Sequence, residues 1–351
     1  MACGSDHTRE SFYVGGNYVE DDQGIHTLQG QMYVEHLTPK SNIERRPFPL
    51  LLIHGGTRTG IDWFTKPDGN PGWASFFLAR CYEIYIVDVP YRGRSPWYPG
   101  NGSMVAFGAK QVQKMFTASE LYGIWPQAKH HTQWPGTGVM GDPVFDAFYA
   151  SAIQMLGDAV QQELASQAAC AALLDRIARP VVMIGHSQGG AIPYLTADVR
   201  PRLVKAIVNL EPVGPPFSKA TLIKRPGCPY GITHAPITYK PPVTNPSEDL
   251  VRTVVQPNSP GLMECVLQAI EPPPRTLVNL ANIPILIVTT QASYHAPYDW
   301  GTVEYLNQAG VTSEHLKLED KGILGNGHMM FLEMNSDLVA AEIEAWIAQA
   351  I

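Results

Sequence analysis

A G-x-S-x-G pattern spans Gly185 to Gly189, with Ser187 at its centre, where a serine hydroxyl could act as a nucleophile. The apolar run 181–184 precedes the pattern, and a helix-compatible stretch begins at Gly190. A strand, a sharp turn and a helix form the context in which this pattern carries chemistry, because the turn presents the serine at the edge of a sheet. We therefore predict Ser187 as the nucleophile. The alternative is a Gly-rich turn with a chance serine.

A serine hydroxyl is a poor nucleophile at neutral pH and needs a base to accept its proton. We predict that this base is His328, in a Gly-rich segment between the last strand-like run and the terminal helix. This location suits the chain order serine, acid, histidine. His295 is the second candidate, whereas His54 and His186 are expected to shape Gly-rich turns. The plain alternative for His328 is an exposed loop histidine.

The group that orients the base has two candidates. Glu211 directly follows the apolar strand 206–210, and Asp299 lies ten residues beyond the strand 285–289. A carboxylate at the end of a buried strand needs a partner, because an unpaired buried charge is costly. An imidazolium would supply that partner, so chemistry favours Glu211 over Asp299. A salt bridge to an arginine or lysine is the plain alternative.

Backbone N–H groups must stabilise the oxyanion of such a reaction. One should come from Gln188, the residue after the nucleophile. The other should come from the segment His54-Gly55-Gly56-Thr57, where glycines let the backbone approach a substrate carbonyl. Gly56 is the first choice and Thr57 the second. A plain turn after the strand is the alternative for this segment.

Four aromatic residues fall in irregular segments beyond the expected carboxyl edge of the sheet. Trp125, Trp134, Tyr294 and Trp300 could line an apolar substrate pocket, or they could pack a lid onto the core. The sequence leaves both possibilities open. The arginines of the segment 91–95 are expected to tie loops together.

Short, continuous apolar runs alternate with helix-like stretches, which predicts an α/β fold with a mostly parallel sheet covered by helices on both faces. Ligands bind such sheets at the carboxyl ends of the strands, where every candidate residue above is expected. The predicted strands are 11–14, 31–35, 49–53, 84–87, 181–184, 206–210, 285–289 and 314–318. The predicted helices are 145–164, 167–177 and 337–350, the last with Ser336 as a candidate cap.

Prolines and glycines cluster outside this regular pattern, and they divide the chain into a core and its insertions. We predict a core of residues 1–98 and 145–351, with a lid or cap insertion at 99–144 and a second excursion at about 212–280. The chain has 351 residues, of which 45% are hydrophobic, enough for one large core.

Charge and cysteine content limit the partners and the compartment. The net charge is −7 and no basic run occurs, so nucleic acid is an unexpected partner. No apolar stretch reaches the roughly 20 residues that span a bilayer, and no secretory signal pattern is present at residues 1–7. An odd number of scattered cysteines predicts reduced thiols and a cytoplasmic location. The cysteines are Cys3, Cys81, Cys170, Cys228 and Cys265.

Taken together, these segments resemble the α/β-hydrolase fold over nearly the whole chain. More narrowly, they are similar to a branch of bacterial and fungal esterases with a Ser-Glu-His triad, in which the acid follows the sixth strand of the sheet instead of the seventh. The segments that match are 11–16, 53–56 with Thr59, Gly60 and Trp63, 67–69 with Gly72 and Trp73, 92–95, 185–190, 209–212 and 325–330.

The resemblance implies Ser187 as nucleophile, His328 as base and Glu211 as acid, and it places Glu211 well above Asp299. One departure concerns the oxyanion loop, in which at least one such esterase looks to carry two adjacent cysteines. Here Gly55 and Gly56 leave no such disulfide, so an ordinary flexible loop is expected.

The function that we predict is hydrolysis of a carboxylic ester or lactone through an acyl-enzyme on Ser187, with no metal or organic cofactor. The expected partner is a small-molecule ester or lactone, and a homodimer is left open. The same site could instead serve a lyase or cyclase acting on a polyketide-like carbonyl compound of secondary metabolism. A ligand-binding, receptor-like protein is the third reading, which an intact set of site residues opposes.

Overall fold

The computed structural model describes residues 6–40, 44–218 and 227–351. Its central sheet has eight strands in the order β1-β2-β4-β3-β7-β8-β11-β12, and two small two-stranded sheets accompany it. The strands are β1 His7–Glu20, β2 His26–Pro39, β3 Leu50–Ile53, β4 Ile84–Asp88, β5 Met104–Val105, β6 Met155–Leu156, β7 Val181–His186, β8 Val204–Leu210, β9 Arg252–Val255, β10 Cys265–Gln268, β11 Ile285–Thr289 and β12 Ser313–Lys317.

Helices connect these strands and pack against the sheet. The long helix α5 contacts α6 and the β1–β2 hairpin, whereas α1 contacts the terminal helix α9, which also touches β8. The helices are α1 Trp73–Leu78, α2 Ala109–Val112, α3 Ser119–Tyr122, α4 Pro143–Ala150, α5 Ala159–Ile177, α6 Ala191–Val199, α7 Pro246–Asp249, α8 Asp299–Gln308 and α9 Ser336–Ala350.

The α/β architecture predicted from the sequence is confirmed. Strands β3, β4, β7 and β11 are buried at every position, which explains why they read as continuous apolar runs. Within the central sheet, all neighbouring strands from β4 to β12 run parallel, and only the β1–β2 hairpin and its junction with β4 are antiparallel. Counted along the chain, β8 is the sixth strand of the central sheet and β11 is the seventh.

The first two strands are much longer than the predicted segments 11–14 and 31–35. Both have 14 residues and pair from His7 opposite Pro39 to Glu20 opposite His26. Most of β1 is exposed, so its polar and charged residues gave no apolar signal. Pairing with β2, rather than burial, defines its length.

The prediction of one helix over 145–164 is wrong. Helix α4 ends at Ala150, and the chain then forms β6, which pairs with β5. The Asp158 side chain accepts a hydrogen bond from the Gln161 N–H and begins α5, which continues through the predicted break to Ile177. At the last helix Asn335 is the cap residue, and Ser336, the predicted cap, is the first helical position.

The cysteines do not all carry free thiols. Cys170, Cys228 and Cys265 are free and buried, but Cys81 is disulfide-bonded, so the prediction of reduced thiols throughout is wrong at Cys81. Cys3 lies outside the described residues. In the described part of the chain, no helix combines the length and apolarity that a membrane span requires.

Candidate active site

The Ser187 turn lies at the carboxyl end of β7, near the middle of the sheet. Ser187 has φ 53°, in the left-handed region, and opens the 3-10 turn Ser187–Gly190 that leads into α6. A Cβ at Gly189 would lie 2.3 Å from the carbonyl oxygen of His54, so only glycine allows this close approach. The turn leaves Ser187 half-buried, at the wall of a cavity.

Glu211 follows β8, next to β7, and its side chain is fully buried. Its Oε1 accepts hydrogen bonds from the Thr290 N–H at 2.9 Å and the Thr290 hydroxyl at 2.8 Å. Its Oε2 accepts one from the Ser293 hydroxyl at 2.6 Å. Because β8 and β11 are parallel neighbours, the segment after β11 reaches this carboxylate directly.

His328 is the partner of Glu211. Its Nδ1 lies 2.6 Å from Oε2 of Glu211, and both side chains are buried. An ionised carboxylate only accepts hydrogen bonds, so Nδ1 carries the proton of a neutral His328 ring and Nε2 keeps a lone pair. That tautomer is the one a general base requires.

Tyr294 joins the histidine to the serine. Its hydroxyl lies 3.3 Å from Nε2 of His328 and is also hydrogen-bonded to the Ser187 side chain. Burial raises the pKa of Tyr294 well above its ordinary value, and the nearby Glu211 charge adds to this effect. The phenol is therefore neutral, and its oxygen sits between the two groups that would exchange a proton.

Burial controls the charge of the histidine and its carboxylate. It lowers the pKa of His328 well below the ordinary value, and the charge of His295 lowers it further. Burial also raises the pKa of Glu211, whereas the charge of His295 and the donors on its oxygens oppose that shift. His328 is consequently neutral and able to accept a proton in neutral solution.

A second polar cluster holds the segment that carries His328. The carboxylate of Glu333 accepts hydrogen bonds from the Gly327 N–H at 2.9 Å and from the Asn326 amide at 2.8 Å. His131 lies 2.8 Å from the same carboxylate. Burial opposes protonation of His131, but Glu120 and Glu333 raise its pKa to about 9.

The His186 ring nitrogen Nε2 lies 3.0 Å from the carbonyl oxygen of His328.

The oxyanion segment packs against the serine turn. Gly56 and Gln188 both line the cavity beside Ser187. The buried guanidinium of Arg92 joins the two sides, donating to the Gly55 carbonyl oxygen at 2.8 Å and to the Gln188 amide oxygen at 2.5 Å. Arg92 therefore ties loops together, as the sequence suggested. Thr57, the second choice, has φ 57° and also lines the cavity.

Asp299, the other candidate acid, has a different partner. It is fully buried at the start of α8, and its Oδ1 lies 2.9 Å from Nδ1 of His295. Its Oδ2 accepts a hydrogen bond from the Thr289 hydroxyl at 2.8 Å. The structure thus contains two carboxylate–imidazole pairs at this edge, Glu211 with His328 and Asp299 with His295.

The cavity above Ser187 has a largely apolar lining. Of the four predicted substrate-binding aromatics, Tyr294 lines it. Among the described residues, the indoles of Trp125, Trp134 and Trp300 are not part of that lining. The Trp125 and Trp300 N–H groups donate to backbone carbonyls, and Trp134 packs edge-on against Phe148.

Apart from Tyr294, the aromatic lining comes from residues that the sequence reasoning missed. Phe116 stacks on His328 with ring centroids 5.3 Å apart, and Phe107 and Phe148 also face the cavity. Thr290 and Ser293, which hold Glu211, were missed as well. Their signal was present, since a polar stretch directly after a buried strand lies at the same sheet edge as the other candidates.

One group of three possible metal ligands occurs among the described residues, namely Glu211, His295 and His328. Ligand atoms lie about 2.0–2.2 Å from a bound zinc ion, which then occupies the space between them. The 2.6 Å contact between Glu211 and His328 closes that space. The arrangement fits a hydrogen-bonded pair better than a metal centre.

Comparisons with known proteins agree with this fold. The sequence profile of the alpha/beta hydrolase family matches residues 50–342. The chain is 45% identical to a protein named "Probable secreted lipase phiG" from Fungal sp. (strain ATCC 74256), over 96% of this chain and 88% of that protein. A novel bacterial esterase of known structure superposes with a TM-score of 0.63 at 22% identity, covering 98% of this chain and 96% of that one. The chain therefore belongs to the alpha/beta hydrolase family.

Proposed function

We propose that this protein is a serine hydrolase that cleaves a carboxylic ester or lactone through an acyl-enzyme on Ser187. The observation that carries this proposal is the Glu211–His328 pair, joined through the Tyr294 hydroxyl to Ser187. Acyl transfer needs a nucleophile, a base and a group that orients the base, and these residues provide the three groups at one edge of the sheet. The names of a lipase relative and an esterase of similar fold support an ester as substrate.

In the first step the Ser187 oxygen attacks the ester carbonyl carbon, and Nε2 of His328 accepts the serine proton. The Tyr294 hydroxyl must first move away from Nε2 of His328, because it is within hydrogen-bond distance of that nitrogen. Glu211 holds the Nδ1 proton and stabilises the imidazolium that forms. His328 then gives its proton to the leaving alcohol oxygen, which completes the acyl-enzyme.

The oxyanion of each tetrahedral intermediate would be held by the backbone N–H groups of Gly56 and Gln188, which line the cavity beside Ser187. Arg92 keeps these two segments together through the Gly55 carbonyl and the Gln188 side chain. In the second step His328 takes a proton from water, the resulting hydroxide attacks the acyl carbon, and Ser187 regains its proton.

The substrate that we propose has a bulky apolar acyl or ring part. The lining of the cavity is rich in aromatic and aliphatic side chains, and buried apolar surface contributes roughly 25 cal/mol per Å² to binding. Phe107, Val112 and Phe116 belong to residues 99–144 and line this cavity. We therefore propose that the insertion 99–144 is a lid that contributes to the substrate site.

We further propose that the protein works in an oxidising compartment, not in the cytoplasm. Disulfides persist in secreted proteins and are rare in cytosolic ones. The disulfide at Cys81 supports this proposal, and so does the word "secreted" in the name of the fungal relative. The earlier expectation of a cytoplasmic location rested on reduced thiols.

The test is a stopped-flow time course of p-nitrophenol release from p-nitrophenyl butyrate by the wild type and by Ser187→Ala. An acyl-enzyme that forms faster than it hydrolyses gives a burst followed by steady turnover. We expect both phases to require Ser187. Release by the wild type that Ser187→Ala retains would overturn the proposal.

The same pair of proteins separates hydrolysis from the other functions of this fold. Mass spectrometry of quenched wild type should show the butyryl group on a peptide containing Ser187. Turnover of the probe without any acylated serine would contradict the acyl-enzyme mechanism and favour lyase-type proton transfer at the same site.

A further inference from the structure

A second carboxylate–imidazole pair lies beside the proposed triad and takes no part in the mechanism above. Nδ1 of His295 is 2.9 Å from Oδ1 of Asp299, one helical turn later in the chain. Asp299 is completely buried and His295 is 2% exposed. The Thr289 hydroxyl donates to the other oxygen of Asp299, so this carboxylate is held from both sides.

The His295 ring faces the ring of the proposed base. The two imidazoles are parallel within 5°, and their centroids are 4.9 Å apart. A nitrogen of each ring and a carboxylate oxygen of Glu211 all lie within 4.8 Å of one another. A proton on His295 would therefore sit between two carboxylates and above the face of His328.

The charged groups around His295 decide which of the two histidines is protonated. Burial disfavours charge on both, but Asp299 and Glu211 raise the pKa of His295, whereas that of His328 is lowered. Tyr294 and Tyr298 also face His295, with ring centroids at 4.5 and 4.9 Å, and burial keeps both phenols neutral by raising their pKa. These groups therefore favour the charged form of His295 over that of His328.

Two further histidines lie near this group. The His186 ring is 4.5 Å from His328, and burial lowers its pKa well below the ordinary value. His315 lies 2.9 Å from the Thr289 hydroxyl, and burial lowers its pKa to about 4. Both rings are neutral, so neither competes with His295 for the charge.

We propose that His295, held as an imidazolium by Asp299 and Glu211, is a positioning residue that keeps the facing His328 in its neutral, proton-accepting form. The fixed positive charge disfavours a proton on His328 in the free enzyme. When His328 receives the Ser187 proton during acylation, the same charge promotes its transfer to the leaving alcohol oxygen. This inference rests on the proposed function.

The kinetic test is the pH dependence of kcat/KM for p-nitrophenyl butyrate in wild type, His295→Gln and Asp299→Asn. A unit charge about 5 Å away shifts a pKa by more than one unit even at an effective dielectric constant of about 20. We expect the acidic limb of the kcat/KM profile of His295→Gln to move upward by about one pH unit or more, and the limb of Asp299→Asn to move in the same direction. At high pH, the KM of both variants should stay within about twofold of the wild-type value.

The matched control is His36→Gln. His36 on β2 lies 2.8 Å from Glu83 and stacks on Tyr85, so it belongs to another histidine–carboxylate pair, away from the described lining of the cavity. Its acidic limb should coincide with that of the wild type. If the acidic limb of the pH profile is unmoved in a folded His295→Gln enzyme whose turnover still requires Ser187, only the role of His295 is overturned. Turnover that does not require Ser187 would instead overturn the proposed function.

A spectroscopic test needs no enzymatic activity. In the Ser187→Ala protein with ¹⁵N-labelled histidines, both ring nitrogens of His295 should show imidazolium shifts at pH 7.5, while His328 shows the neutral tautomer with its proton on Nδ1. The ring-nitrogen signals that disappear from the spectrum when His295→Gln is introduced are assigned to His295. A neutral His295 at pH 7.5, or a charged His328, would overturn the proposal.

Discussion

The carboxylate of Glu211 lies 2.6 Å from Nδ1 of His328, although 117 positions of the chain separate the two residues. Asp299 makes the equivalent contact with His295 instead. We therefore expect Glu211→Gln to reduce kcat by roughly 10³- to 10⁴-fold, because an amide neither fixes the tautomer nor stabilises the imidazolium. Asp299→Asn should reduce kcat far less when kcat is measured at a pH above the acidic limb of the variant's pH–rate profile. The reverse order in steady-state assays would assign the acid to Asp299.

Ser187→Ala should remove activity without unfolding the protein. Ser187 is half-buried and packs few atoms into the core, so we expect the thermal midpoint to change by less than about 3 °C while kcat falls by more than about 10³-fold. Ser218→Ala, at another serine that lines the cavity, is the matched control and should retain turnover. A large loss of thermal stability in Ser187→Ala would undercut the assignment of the nucleophile.

Tyr294→Phe tests the hydroxyl that lies between the serine and the base. The Tyr294 hydroxyl occupies Nε2 of His328, and a neutral hydrogen bond contributes about 1 kcal/mol. We expect its removal to speed acylation, by about fivefold, in single-turnover measurements. Tyr149→Phe removes another phenol hydroxyl of the cavity lining, which donates to the Phe107 carbonyl, and should leave acylation unchanged. Slower acylation in Tyr294→Phe would mean that the phenol stabilises the transition state.

His131 should make folding stability depend on pH. Its pKa is raised from 6.5 to about 9 in the folded protein, so the stability that its charge provides is complete below about pH 6.5 and is lost as the pH rises through about 9. At pH 6 we expect His131→Asn to lose about 3 kcal/mol of unfolding free energy, because the buried Glu333 loses its cationic partner.

The difference between wild type and His131→Asn in urea unfolding should shrink steadily from pH 6.5 to pH 9. The neighbouring exposed residue gives the control, since His130→Asn should match the wild type throughout. A pH-independent difference would show that His131 acts by packing and not by charge.

The disulfide at Cys81 gives a chemical test of the compartment. Thiol titration of the denatured protein should detect fewer thiols before reduction than the five cysteines that are present afterwards. In Cys81→Ser the counts before and after reduction should be equal. Protein secreted from a eukaryotic host should show the difference, and equal counts in that wild-type sample would contradict the disulfide.

The fold and the relative positions of Ser187, Glu211 and His328 could be predicted because parallel strands bring their carboxyl ends to one edge. The apolar runs ending at 184 and 210 fixed where the serine and the glutamate would lie, whatever the lengths of the connections. The structure pairs Glu211 with His328, whose ring lines the same cavity as Ser187, and it pairs the alternative acid with the alternative base.

Other features could not be predicted because they depend on contacts between segments distant in sequence. The stacking of His295 on His328 depends on how the segment after β11 and the Gly-rich segment before α9 pack together. The orientations of Trp125 and Trp300 are set by carbonyl groups of other loops. The break after α4 arises from the pairing of β6 with β5, two residues each, which leaves almost no sequence signal.

The left-handed backbone at Ser187 and Glu211 has a consequence for protein engineering. These residues, with φ 53° and 46°, are among the seven described non-glycine residues with positive φ. Glycine adopts this conformation without the steric penalty that an L side chain meets, so a glycine at the half-buried Ser187 would relieve strain while removing the proposed nucleophile. At the buried Glu211 the same change would leave the Thr290 and Ser293 donors without an acceptor. A selection for thermostability alone would therefore favour inactive variants at Ser187, and activity must be selected at the same time.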